Sequence, residues 1–459
     1  MGLVSPHLGR GQTTTGGKGA KRPNILFIMT DQQSAGAMSH AGNGDLSTPS
    51  MDLLARHGVS FTKAYCTNPI CVPSRTSWIT GRMPHQTTVT FNTDEHGIAC
   101  PPLSPLMKAG GYATGYVGKW HIPHDAHDKD WHGFDFVAHA RANRLDNDVP
   151  GAVEEFLQQP RTEPFFLVAS FVNPHDICEW ARQASGMGDT LPNGPIPPTP
   201  DPDNCPPLPD NHAIPPDEPS VIREHQATMP RVYPVRDWKS DTWRQYRWAY
   251  NRLIEKVDGQ IGKVLESLKR SGQWDNTIVV LTSDHGDGQG AHSWNQKTLF
   301  YDEISRIPLI VADLRQKPSG KSDDEHLVSM NLDLFPTFLD YAGITPPPGL
   351  PGISLRNLID HPDEVHGHPF IISEDDLHRE WGASGGVYGR MVRTDRYKYI
   401  IYSEGENREQ LFDMEKDPGE TRNLVRADNM NTVLETHRRI LADWIRDTGD
   451  FFPPPSPTA

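Results

Sequence analysis

The sequence predicts an α/β protein whose large sheet is mostly parallel, followed by a small antiparallel sheet with a helix. Three observations carry this. Four short apolar runs each stop at polar, chemistry-bearing residues, one long segment has helical apolar periodicity, and short strand-like runs take over towards the C-terminus. Residues 24–30 are continuously apolar in their middle, the pattern of a strand covered on both faces, and run directly into Asp31-Gln32-Gln33. Residues 277–283 repeat the design and lead into Asp284-His285-Gly286. Residues 113–118 lead into Lys119-Trp120-His121, and 164–171 into Asn173-Pro174-His175. Ligands of open α/β sheets bind beyond the carboxyl ends of the strands, so these residues are expected to converge although up to about 250 positions separate them. One Asp after a strand is commonly a helix cap, and one His or Lys a solvated loop residue. Four such strands together point to a site.

The helical segment is 243–271, with Tyr246, Tyr250, Leu253, Ile254, Val257, Ile261, Val264, Leu265 and Leu268 on one stripe and Gly272 closing it. It is expected to cover one sheet face with its aromatic residues in the core. Between 176 and 241 lies a Pro-rich stretch with neither helical nor strand periodicity, read as a long loop forming a substrate-facing wall. After residues 333–342 the composition shifts to Pro and Gly, and short strands begin near 370. Residues 391–402 read as two strands around Thr394-Asp395-Arg396, 410–414 as a further strand, and about 430–447 as a final helix. The expected organisation is a tail over 1–22, a main domain over 23–365 with the insertion at about 176–241, a C-terminal α+β subdomain over 366–450, and a tail over 451–459.

A chain of 459 residues exceeds the roughly 250 to 300 at which one core stops growing, which favours a large domain plus a smaller one. With 44 Lys plus Arg against 59 Asp plus Glu, the formal charge is −15, and no basic segment tracks a nucleic-acid backbone. Five cysteines (Cys66, Cys71, Cys100, Cys178 and Cys205) make no disulfide framework and leave at least one unpaired, with room for one pair. Neither an apolar leader nor an apolar run of membrane length is present, so the chain as it stands is expected to be cytoplasmic and free of membrane partners. A different start would place it in the periplasm or outside the cell.

Cys71-Val72-Pro73-Ser74-Arg75 opens a stretch reaching Thr80-Gly81-Arg82. Together with Asp31-Gln32, Gly118-Lys119-Trp120-His121, Ser283-Asp284-His285-Gly286 and Lys297 ahead of 301–308, it resembles the type I sulfatases in motif order and spacing, from about Pro23 to Leu424. The resemblance implies an alkaline-phosphatase-like fold, a large mixed, mostly parallel sheet sandwiched by helices, with 23–365 as the catalytic domain. It also implies that Cys71 is converted by a formylglycine-generating enzyme to formylglycine, whose hydrate attacks the sulfur of a sulfate ester. One hydroxyl is the nucleophile, and the second expels sulfate by collapse to the aldehyde. The site must take on the order of 20 kcal/mol off the barrier.

By the same resemblance Asp31, Gln32, Asp284 and His285 hold a divalent cation with the matured Cys71. Two departures from the commonest pattern, Gln32 for Asp and His285 for Asn, leave Ca²⁺ first and admit Mn²⁺ or Zn²⁺. Arg75 and Lys119 are expected to hold the hydrate and a sulfate oxygen, aided by a helix N-terminus near Ser74. His121 is expected to take the proton in the elimination step, and Lys297 to bind sulfate beside the leaving oxygen. His175 is the expected general acid, with His292 as competitor. Trp120, Trp180, Trp243 and Trp294 are read first as packing and second as sugar-stacking residues, while His124, His127 and His132 are read as structural or solvated. The expected substrate is a sulfated carbohydrate. Two other readings stay open: a phosphonate or phosphate ester hydrolase of the same superfamily, and a non-catalytic binder of sulfated glycans if Cys71 stays a thiol.

Overall fold

The computed structural model describes residues 21–94, 98, 100–140, 146–377 and 386–454. Residues 1–20 of the expected N-terminal tail and 455–459 of the C-terminal tail lie outside them. Strands in chain order are β1 Asn24–Asp31, β2 Gly58–Phe61, β3 Ala64–Tyr65, β4 Ala113–Gly118, β5 Phe136–Ala138, β6 Phe165–Pro174 and β7 Thr277–Ser283. They continue with β8 Leu309–Asp313, β9 Lys321–Asp323, β10 Val328–Ser329, β11 Phe370–Leu377, β12 Val387–Thr394, β13 Tyr397–Tyr402 and β14 Glu409–Asp413.

The large sheet has the order β5-β4-β6-β1-β7-β8-β2-β9, and only β8 runs against the rest. Its centre is covered on both faces. Every residue of β1 is buried, and its side chains alternate: Ile25, Phe27 and Met29 enter one core layer, Leu26 and Ile28 the other. The first layer contains the helices Cys71–Thr80 and Met330–Ala342, where Phe27 meets Trp78 edge-on at 5.0 Å. The second contains Val149–Gln158 and the 31-residue helix Ser240–Arg270, whose stripe is the one visible in the sequence.

Backbone pairing sets the strand ends at one level. Gly118 lies opposite Ser170, Ser170 opposite Met29, Met29 opposite Thr282, and Thr30 opposite Ser283. The residues that follow, Lys119, Asp31 and Asp284, therefore emerge side by side.

Two expectations change. The stretch 176–241 is not a plain loop, since it contains the helices Ile177–Ala184 and Ser220–Thr228 and a single 3₁₀ turn at Pro202–Asn204. Each is too short for its period to stand out among the prolines. No cysteine is paired, as all five are free thiols.

The antiparallel sheet β11-β12-β13-β14 carries the helix Asn431–Thr448 on one face, through Leu434, Leu441 and Ile445 against Val392, Tyr399 and Leu411. Its other face packs on Tyr65, Trp294, Phe300 and Tyr301 beside the large sheet. A buried ion cluster joins the two parts, with Lys398 Nζ on β13 lying 2.5 Å from Asp302 and 2.8 Å from Glu420. Burial opposes ionisation of Asp302, yet Lys398, Arg306 and Arg393 hold its carboxyl below the usual range. Lys398→Met leaves Glu420 buried without its cation and Asp302 with only its arginine partners, and is expected to cost about 3 kcal/mol, read as a lower urea midpoint at pH 7. An unchanged midpoint would show that the cluster does not secure the C-terminal sheet.

Candidate active site

The helix carrying Cys71 starts at Cys71 itself, three residues earlier than expected, because Pro73 fits a first turn that needs no N–H donor there. Asn92 Oδ1 accepts the free Val72 N–H at 2.9 Å, and Gly81 closes the helix in the left-handed conformation (φ 64°). All ten residues are buried. Gln32 (φ 71°) and His121 (φ 45°) take left-handed backbone just beyond β1 and β4, which turns their side chains sharply at the strand ends. Gly286 is required because a Cβ there would meet Glu303 O at 2.1 Å.

These elements surround one atom. Cys71 Sγ lies 3.0 Å from Lys297 Nζ, 3.2 Å from His285 Nε2, 3.8 Å from Asp31 Oδ1 and 3.9 Å from Lys119 Nζ. Burial raises the thiol pKa, but Lys119, Lys297 and His285 outweigh it and hold Cys71 well below the ordinary value. Arg75 donates from Nε to Asp284 Oδ2 at 2.8 Å, from Nη2 to Asp31 Oδ2 at 3.0 Å, and from Nη1 to Lys119 O and Ser170 Oγ. Lys119 Nζ is 2.5 Å from Asp31 Oδ2.

Asp31, Cys71, Asp284 and His285 each offer a donor atom within 4.8 Å of the others, all buried. His285 Nδ1 bonds to Gly286 O at 2.9 Å, which turns Nε2 to the cluster. Burial and Cys71 push Asp31 up, yet Lys119, His175 and Arg75 hold it well below the usual range. Asp284, in turn, is pushed up to about 6 by burial and by Asp31. Two such carboxylates, an imidazole nitrogen and a thiol sulfur fit a divalent cation, which relieves their mutual repulsion.

A profile of the family described as Sulfatase matches residues 23–344, and one described as N-sulphoglucosamine sulphohydrolase, C-terminal, matches 290–447. The chain is 32% identical to a Delta 4,5-hexuronate-2-O-sulfatase of Bacteroides thetaiotaomicron, over 94% of this chain and 90% of that one. The chain belongs to the sulfatase family. It is a sulfuric ester hydrolase. An N-acetylglucosamine-6-O-sulfatase of the same organism is 26% identical over 88% of this chain and 83% of its own. The solved structure of a 2-O GAG sulfatase superposes with a TM-score of 0.81 at 31% identity, covering 94% of this chain and 93% of that one.

In this sulfatase the remaining expected residues are placed as follows. His121 and His175 are half-buried and face Cys71. Burial and Lys119 hold His121 down to about 4, and burial with Lys297 and Lys119 holds His175 below the ordinary histidine value. His292 is stacked on Tyr301 at 3.9 Å in the core, away from this group. Trp120, Trp180, Trp243 and Trp294 are buried packing residues.

Sequence reading missed the layer beneath. Asp287 accepts from Gln32 Nε2 at 2.8 Å and from Tyr246 OH at 2.8 Å, while Gln32 Oε1 accepts from Lys297 Nζ at 3.2 Å. Asp287 thus fixes which end of the Gln32 amide faces the cation site, and an acid at position 32 would set carboxylate against carboxylate. The signal was an Asp three residues after Asp284. Its tyrosine partner was counted only as part of an apolar stripe. Asp287→Ala frees the Gln32 amide to turn, and is expected to weaken divalent-cation binding about 10- to 100-fold by calorimetry with the circular dichroism spectrum kept. Unchanged affinity would remove Asp287 from the site.

Proposed function

We propose that this protein is a carbohydrate sulfatase using formylglycine made from Cys71 and one divalent cation, Ca²⁺ first with Mn²⁺ and Zn²⁺ as alternatives. One observation carries the reading: two lysines, a histidine and an aspartate from separate segments close on the single buried atom Cys71 Sγ. The carbohydrate comes from the relatives, whose names specify a sulfated hexuronate and a sulfated N-acetylglucosamine.

Hydrated formylglycine supplies the nucleophilic hydroxyl and a second hydroxyl whose collapse releases sulfate. A cation held by Asp31, Gln32, Asp284 and His285 with the matured Cys71 supplies nucleophile activation and charge neutralisation. Lys119 and Lys297 hold sulfate oxygens, and the first turn of the helix at Cys71 adds N–H groups and a favourable dipole. Arg75, expected from the sequence to hold the hydrate or a sulfate oxygen, instead donates from Nε, Nη1 and Nη2 to Asp284, Asp31, Ser170 and Lys119 O, and acts by fixing the two carboxylates. His121, kept neutral by its low pKa, is ready to accept the proton released in elimination. His175, which faces Cys71, is the acid that protonates the leaving oxygen. Burial first, then Lys297 and Lys119, hold its pKa down, and an anionic ester seated on the two lysines offsets their part and favours the protonated ring.

Peptide mass spectrometry after expression with the maturation enzyme is expected to show Cys71 lighter by about 18 Da, with sulfate released from sulfated sugars and Cys71→Ala folded but inactive. An unmodified thiol that still binds sulfated glycan would support a binding protein. Faster release from phosphate or phosphonate esters of the same alcohol would move the chain to the other hydrolase class. His175→Gln is expected to lower kcat about 100-fold or more on sugar sulfates, and far less on aryl sulfates whose phenolate departs without a proton. Equal losses on both would exclude His175 as the acid.

A further inference from the structure

Beside the reactive centre lies a group of buried polar atoms that the protein leaves unsatisfied. Thr67 and Asn68, just before Cys71, are completely buried, yet Thr67 Oγ1 and Asn68 Oδ1 have no hydrogen-bond partner among the described residues. Strand β11 passes next to them, since the Glu374 N–H donates to Thr67 O at 2.8 Å. Strand alternation puts Ser373 and Asp375 on the face of β11 shared with Ile371 and Leu377. Those two pack with Tyr233, Trp294, Leu299 and Phe300, on either side of Lys297. The Lys297 segment is tied to the same place by Thr298 N–H donating to Pro69 O at 3.0 Å. Ser373 Oγ and both carboxyl oxygens of Asp375 also lack partners among the described residues, although Asp375 is only 2% exposed.

Thr67, which accepts the Glu374 N–H, lies four residues before Cys71, so β11 runs beside the segment entering the reactive helix. In keeping with this, burial pushes the Cys66 thiol up and both Asp284 and Asp375 add to the effect. Unsatisfied buried groups carry a desolvation penalty, and such a concentration beside an active site marks where a polar ligand completes the bonding. The unsatisfied atoms are hydroxyl, amide-carbonyl and carboxyl oxygens, the complement of sugar hydroxyls, while the lysines at Cys71 complement sulfate.

Resting on the carbohydrate-sulfatase reading above, we propose that Asp375 is a specificity-determining residue that binds a ring hydroxyl of the sulfated sugar, with Ser373, Thr67 and Asn68 completing the subsite. Burial pushes the Asp375 carboxyl above the usual range, and a carboxyl group in either protonation state can accept from a hydroxyl. Among the described residues no side chain hydrogen-bonds to the Asp375 carboxyl, whose charged form is favoured only by the Asp376 backbone N–H and by Arg390, so its removal breaks no side-chain hydrogen bond of the fold.

The test is a cycle between protein and ligand. Monosulfated monosaccharides and their singly deoxygenated analogues are titrated by calorimetry into the Cys71→Ala protein, with and without Asp375→Asn or Asp375→Ala. For one ring position, deoxygenation is expected to weaken binding about 10-fold or more with Asp375 present, and about 2-fold or less with Asp375→Ala. The urea midpoint of Asp375→Asn is expected to equal or exceed that of the parent. A deoxy penalty identical in both proteins, or a marked fall in midpoint, would overturn the proposal and leave a structural role. Sulfate release by wild type tells the two readings apart: hydrolysis with no coupling sinks only the Asp375 subsite, whereas neither binding nor hydrolysis of any sulfated sugar sinks both.

Discussion

The Arg75 guanidinium lies wholly out of water and donates to a carboxylate on β1, a carboxylate just past β7, a hydroxyl on β6 and a carbonyl just past β4. A buried arginine is tolerated only when its charge is paired and its donors are engaged. Here that condition is met only if four strands stop at the same level, as their pairing dictates. Cys71 precedes Arg75 by four residues, one helical turn, so the helix face that presents the arginine to the sheet also presents the reactive residue. Sheet register, helix position and the placing of Asp31 and Asp284 are one arrangement seen from three sides.

The charge distribution follows from this. A chain with a formal charge of −15 gathers Lys119, Lys297 and Arg75 into its interior. At physiological ionic strength surface charges act over about 8 Å, so the acidic exterior gives little long-range guidance to an anion. The buried cations act at contact, in a medium where each is worth more than in water. Affinity for an anionic group is therefore a property of the floor of the site, and discrimination among anions belongs to its walls.

How much of this was legible depended on local pattern. The four central strands were visible because burial on both faces makes a strand continuously apolar, and each ended in residues of obvious chemistry. Cys71 and Arg75 were visible through a motif. Asp287 was not, because its meaning lies in contacts with Gln32 and Tyr246, which no sequence spacing reveals. The edge strands β5 and β9, and β2 next to β9, are three or four residues long, too short to carry a period, and the helices between 176 and 241 were hidden among prolines. Asp375 carried no mark in the sequence beyond lying where short strands begin, since its unsatisfied carboxyl is a fact of three-dimensional packing.

The burial of Cys71 also bears on the order of events in the life of the chain. In the folded protein its side chain is sealed on the helix by β1, by the strand ends and by Lys297, with none of its surface open to solvent. An enzyme that acts on Cys71 has to reach its side chain, and this helix, buried along its whole length, leaves none of it accessible. A modification at Cys71 therefore has to be made while the segment is still unfolded, near the time of synthesis. Folding then closes a window, and a chain that folds before it is modified is committed to remaining a thiol.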